Sequence, residues 1–172
     1  MNLPAFAWAL GAIAFIGGCA PHGGAKPVDT AKIVDAIKIA EVRANADWKS
    51  GDASRVAAFF APDATIMVAG APPAVGAAAI KAVAQQLMDD PAFTLSFASD
   101  RVYVAASGDL AAARGSYRQT ATDPATRAVV TQTGSYVTVF RPAAGGAWKG
   151  VWDIVAPGAP APVTAPTPAT EK

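Results

Sequence analysis

The chain predicts an α+β fold in which helices come first and a mostly antiparallel sheet follows. Three observations carry this. Apolar residues recur at helical spacing as far as Leu87, alternate with period two from Phe93 onward, and the two regions are divided at Pro91. Segregated helices and strands, as opposed to alternating ones, place the helices on one face of a sheet.

Each element has a local reason. Asp29 or Thr30 can cap a helix continuing to about Ser50, with Ile33, Ile37, Ala40, Ala44 and Trp48 on one face. Gly51 stops it, and Asp52 can accept the free amides of a second short helix bearing Val56, Phe59 and Phe60, closed by Pro62. DATIMVAG reads as a strand. After the loop at Pro72 and Pro73, GAAAIKAVAQQLMDD offers a third helix with Ile80, Val83, Ala84 and Leu87 inward, ended by Pro91. TLSFAS, RVYVAA, DLAAARGSYRQTA, VVTQTGSYVTVF and WKGVWDIV are then five expected strands. Gly108 marks a hairpin, Pro124 a longer loop and Gly145 another turn.

Composition excludes several classes. The 172 residues fit one domain once the ends are set aside. With 14 basic and 13 acidic residues the net charge is +1, and no basic stretch would serve a phosphate backbone, so nucleic acid is not an expected partner. One Cys excludes an internal disulfide, and one His beside it cannot supply a zinc-type ligand set, so neither metal nor cofactor is expected.

Residues 1–18 are apolar and uncharged from Leu3 to Ile16, too short for a span but suited to a signal core. The run ends in Ile16, Gly17, Gly18 and Cys19, which resembles the bacterial lipobox, whose Cys accepts the lipid. That resemblance implies a lipoprotein anchored through Cys19 in the cell envelope, on the outer membrane facing the periplasm, because Ala20 is not the Asp of an inner-membrane retention signal. Residues 19–28 read as a flexible spacer in which His22 has no assigned role. Residues 29–156 form the domain, and 157–172 a disordered tail rich in Pro and Ala.

Within the domain, DWKSGDASRVAAFFAPDATIM is similar to the opening of the SnoaL-like, ketosteroid-isomerase-like branch of the nuclear-transport-factor-two-like superfamily. ASGDLAAARGSY, GSYVTVFR and GGAWKGVWDI resemble its later strands in the same order, from Ile33 to Val155 overall. The resemblance implies a cone-shaped barrel, a curved sheet wrapped around the N-terminal helices, with a blind apolar cavity.

Trp48, Met67, Tyr117, Tyr136 and Trp152 are the expected ligand-binding residues, combining apolar bodies with, in several, a polar tip. Alternation puts Tyr136, Thr138 and Phe140 on one face, and Trp148, Trp152 and Ile154 on one face of the next strand. The same alternation turns Asp153 toward water or a partner. Val137, Val139, Val151 and Val155 are the expected homodimer surface.

Aligned on GD and DAT, the phenol and base of the isomerase pattern fall on Ala44 and Val68, and the second acid near Val137 or Thr138. None of these can do that chemistry, which needs a carboxylate base and an oxyanion-stabilising phenol and acid. The leading expectation is therefore a noncatalytic domain binding a small apolar ligand or a partner in a chemically quiet hollow. The alternatives are a SnoaL-like isomerase, cyclase or hydratase using Asp47, Tyr117 or Tyr136 for acid–base work, and a structural assembly subunit.

Overall fold

The computed structural model describes residues 28–158. The expected signal segment, Cys19, the spacer with His22 and most of the expected tail lie outside the described residues. Helix α1 spans Thr30–Ser50, α2 Ala53–Ala58 and α3 Gly76–Met88. The strands are β1 Phe60–Val68, β2 Ala74–Val75, β3 Thr94–Val104, β4 Ala111–Thr122, β5 Val129–Pro142 and β6 Trp148–Pro157. They form one curved sheet in the order β2-β1-β6-β5-β4-β3. Only β1 and β6 run parallel; every other neighbouring pair is antiparallel. This is the expected α+β cone.

Local chemistry sets the boundaries. Asp29 accepts from the Lys32 amide at the start of α1, and Gly51 ends that helix at φ 72°, a conformation open to Gly at no steric cost. Asp52 accepts from the amides of Ser54 and Arg55 and so caps α2. The second helix stops before Phe60, which already belongs to β1, and Pro62 sits inside that strand, where it was expected to close the helix.

The segments TLSFAS and RVYVAA are one strand, not two. Ser99 pairs with Gly115 and Arg101 with Arg114, so Asp100 is an extra, bulged residue. The bulge exchanges the faces: Leu95, Phe97 and Ser99 turn inward before it, Val102 and Val104 after it. Gly115 makes room for that bend, because a Cβ there would stand 2.1 Å from the Ala98 carbonyl oxygen.

Helix α1 lies along the concave side of the sheet. Ile37 packs with Ala111, Ala113 and Phe140, while Phe59 meets Phe60 and Phe140 edge to face. The Asn45 side chain accepts from the Phe97 amide and donates to its carbonyl, tying the helix to the outer edge of β3. Both backbone groups of that edge residue are thereby satisfied. Among the described residues no helix is long and apolar enough to cross a membrane.

Candidate functional site

The curved sheet and the helices enclose a cavity of about 200 Å³. Ala44 and Trp48 line it from α1, and Ile80, Val83, Ala84 and Leu87 from α3. Val56, Phe59 and Phe60 close another side. Across the sheet the wall is Ile66, Leu95, Phe97, Tyr117, Tyr136, Thr138, Asp153 and Val155, with Gln119 and Gln132 toward the rim. Along β5, Gln132 is exposed, Tyr136 is 6% exposed and Thr138 3%, so the Thr138 end is the deep one.

Asp153 belongs to that deep end, which corrects the expectation that it points to water or a partner. Opposite β5, Phe140 pairs with Gly150 and Val139 with Trp152, leaving Val151 as an extra residue. Such a bulge reverses which side chains face the core. Beyond it Asp153 stands opposite Thr138, which faces inward, and opposite neighbours share a face of the sheet. Gly150 permits the close packing at this point, since a Cβ there would stand 2.9 Å from Phe60 and 3.1 Å from Thr138.

The Asp153 carboxylate is enclosed, although the residue as a whole opens onto the cavity. Thr138 Oγ1 donates to its Oδ1 at 2.7 Å. Burial pushes the Asp153 carboxyl up to about 6; the Thr138 hydrogen bond opposes this and the charge of Glu41 reinforces it. An acid so placed changes charge near neutrality, a property of proton-moving groups.

Behind the cavity wall sits a second carboxylate. Glu41 is only 5% exposed and accepts from Tyr136 Oη at 2.8 Å and from Ser99 Oγ at 2.6 Å. Phe97 holds the Tyr136 ring edge to face. Burial raises the Tyr136 phenol above its ordinary range, and the neighbouring Glu41 and Asp153 charges add to that rise. Burial also raises Tyr117. The hollow is therefore not chemically quiet.

Sequence reasoning missed Glu41. Its signal was available: it lies four residues after Ile37 and three before Ala44, inside the apolar stripe of α1, where an unpaired carboxylate is costly.

The expected ligand-binding residues divide into two sets. Trp48, Tyr117 and Tyr136 line one cavity, and Trp48 rests against Phe93 at 5.5 Å. Trp152 does not line it; the bulge turns it to the convex face, where it is 56% exposed. Met67 follows it outward. It pairs in parallel with Ile154, while Ile66 and Val68 on either side line the cavity. Asp47 lies in a separate surface depression with Arg43, Arg55 and Lys149, so it does not join Tyr117 and Tyr136.

Of the expected dimer residues, Val137 faces outward at 38% exposure, but Val155 lines the cavity and Val151 packs against the Phe60 core. The bulge again explains the difference. Ala44, Val68 and Thr138, onto which the isomerase pattern fell, do border the cavity. The ionisable groups enter from Glu41, Tyr136 and Asp153 instead. Among the described residues, no group of three or more His, Cys, Asp or Glu could hold a metal ion.

Comparison with solved structures agrees with the architecture. A ketosteroid isomerase-like protein from Erwinia carotovora atroseptica is similar at TM-score 0.63 and 24% identity, covering 73% of this chain and 96% of that one. An NTF2-like protein with a cystatin-like fold from Novosphingobium aromaticivorans gives TM-score 0.61 and 23% identity, covering 74% and 82%. A protein from Catenulispora acidiphila in complex with S-DNPA gives 0.60 and 16%, covering 74% and 94%. At these identities the likeness is one of fold. No curated protein matches the chain. The family model described as SnoaL-like domain matches residues 42–151, well over half of the chain, and stops just short of Asp153. The chain belongs to the SnoaL-like domain family.

Proposed function

We propose that this SnoaL-like domain binds one small, mainly apolar molecule in the cone, with Asp153 taking its polar end. The observation that carries the reading is a single carboxylate at the deep end of an otherwise largely apolar cavity. Few, convergent polar groups in an apolar hollow are the usual make-up of a small-molecule site. An apolar cavity of about 150 Å³ takes benzene, so this one suits a single ring with a short substituent. A fold relative, the Catenulispora protein, was solved in complex with S-DNPA.

The test is a panel of one-ring fragments observed by NMR with the full chain. Hits are expected to disappear in Val83→Trp, which fills the cavity beside a half-open helix position while leaving the core intact. Hits that persist unchanged in that variant, or no hit at millimolar concentration, would overturn the reading.

A second reading, isomerase-type proton transfer, is favoured by one observation: a carboxyl lies at the deep end of the cavity, held by Thr138, where burial pushes it up to about 6. In deuterium oxide, such an enzyme exchanges a carbon-bound proton of a bound ligand, and Asp153→Asn stops the exchange. A ligand that binds without exchange leaves the domain a receptor.

We also infer a lipid anchor at Cys19 and residence in the cell envelope on the outer membrane; the lipobox-like run supports both. Membrane-extracted chain should show the mass of a diacylated N-terminal Cys19, and an intact Met1 would refute the anchor. A homodimer through the convex face is proposed on the exposed Val137, Trp152 and Ile154, and a strict monomer by sedimentation would count against it.

A further inference from the structure

The hydrogen-bond donors at the deep end of the cavity are already engaged. Thr138 Oγ1 gives its proton to Asp153 Oδ1, and Tyr136 Oη gives its proton to Glu41 Oε1. Ser99 Oγ donates to the other oxygen of Glu41, Oε2. What remains for a ligand there is acceptor capacity: the second oxygen of Asp153 and the lone pairs of Tyr136 Oη.

Charge points the same way. No Lys, Arg or His lines the cavity among the described residues, and the four ion pairs are all on the exposed surface. Asp153 therefore has no protein counter-ion, and Glu41 behind Tyr136 adds negative potential. Phe97, Trp48, Tyr117 and Tyr136 present aromatic rings around the same space, and aromatic faces attract cations. An oxyanion site needs the reverse, free donors aimed at developing negative charge. Only Tyr117, nearer the rim, keeps a hydroxyl free of these engaged pairs.

We propose that the cavity takes a small apolar amine as its ammonium ion, with Asp153 as the counter-ion and Tyr136 Oη as a second acceptor. A neutral alcohol would satisfy the acceptors but not the charge, and a carboxylate would be repelled. This inference rests on the reading that the cone binds a small molecule, and names the class of molecule.

Three probes of nearly equal shape separate the possibilities: benzylamine, benzyl alcohol and benzoate, titrated into the full chain at about pH 7.5, where Asp153 is ionised. Benzylamine is expected to bind about 10-fold or more tightly than benzyl alcohol, as a charge-assisted hydrogen bond exceeds a neutral one, and benzoate not at all. In Asp153→Asn the preference for the amine should shrink to about 2-fold or less. In Val83→Trp, amine binding should be lost.

Benzyl alcohol or benzoate binding as well as benzylamine would overturn the ammonium assignment and leave the cavity reading standing. An amine preference that survives in both variants would place the cation elsewhere and overturn it too. Failure of all three probes to bind the unmodified chain would overturn the assignment, and with it the cavity reading for ligands of this size.

Discussion

Replacing Glu41 with alanine is expected to lower the stability of the domain by about 3 kcal/mol, as read by urea denaturation. The change removes the common acceptor of Tyr136 Oη and Ser99 Oγ. Each hydroxyl stranded in a buried setting costs about 1–3 kcal/mol, and the truncation also leaves a void under α1. Against this stands the cost of burying a carboxylate without a cation, which the two short hydrogen bonds offset. Glu41→Gln keeps the volume and a carbonyl acceptor, and Ser99 can rotate to accept from the new amide, so its loss should be nearer 1 kcal/mol. If alanine costs less than about 0.5 kcal/mol, the network does not hold α1 to the sheet.

Asp153→Asn should do the opposite at neutral pH and raise stability. The folded carboxyl sits at about 6 against an ordinary 3.8, so between these values the folded protein binds more protons than the unfolded chain. Stability from this group is complete below pH 3.8 and is lost as pH rises through about 6. At about pH 7.5 the wild-type chain carries a charge that folding disfavours by about 2 kcal/mol, after allowing for solvent in the open cavity.

Asparagine retains an acceptor for Thr138 and has no charge to desolvate. The variant should therefore melt higher than wild type at about pH 7.5 and coincide with it near pH 4. Asp63, held low by Arg141, and Asp90 and Asp123, held low by backbone amides, act in the other direction at acid pH. They are shared by both chains and drop out of the difference. Equal melting temperatures at both pH values would show that the Asp153 carboxylate is solvated.

Much of this molecule was readable along the chain because its signals are local. The cap at Asp29, the stop at Gly51 and the cap at Asp52 each depend on residues within one turn. Order and period sufficed for an α+β sheet, and the four motifs shared with SnoaL-like proteins carried the cone and its cavity. That Trp48, Tyr117 and Tyr136 line one cavity was legible for the same reason, since each keeps its phase with the element around it.

The misplaced strand residues share one cause. Alternation assigns a face to each residue only while the pairing register is unbroken. One extra residue at Val151 sends Trp152 and Ile154 outward and Asp153 and Val155 inward, and through the parallel pairing with β6 Met67 also faces out. The extra residue at Asp100 similarly made one strand look like two. A bulge is decided by partners distant in sequence: Phe60 and Thr138 crowd Gly150, and the Ala98 backbone crowds Gly115.

The sequence by itself determined the three helices, most of the strands, their order, the family and the apolar character of the cone, because capping, periodicity and motif are properties of neighbouring residues. Tertiary structure alone decided the chemistry inside it. Glu41, Ser99 and Tyr136 meet across 58 and 95 positions of the chain, and Asp153 faces Thr138 only after a bulge has turned it. Those contacts arise from long-range pairing and packing, to which no short stretch of residues is sensitive.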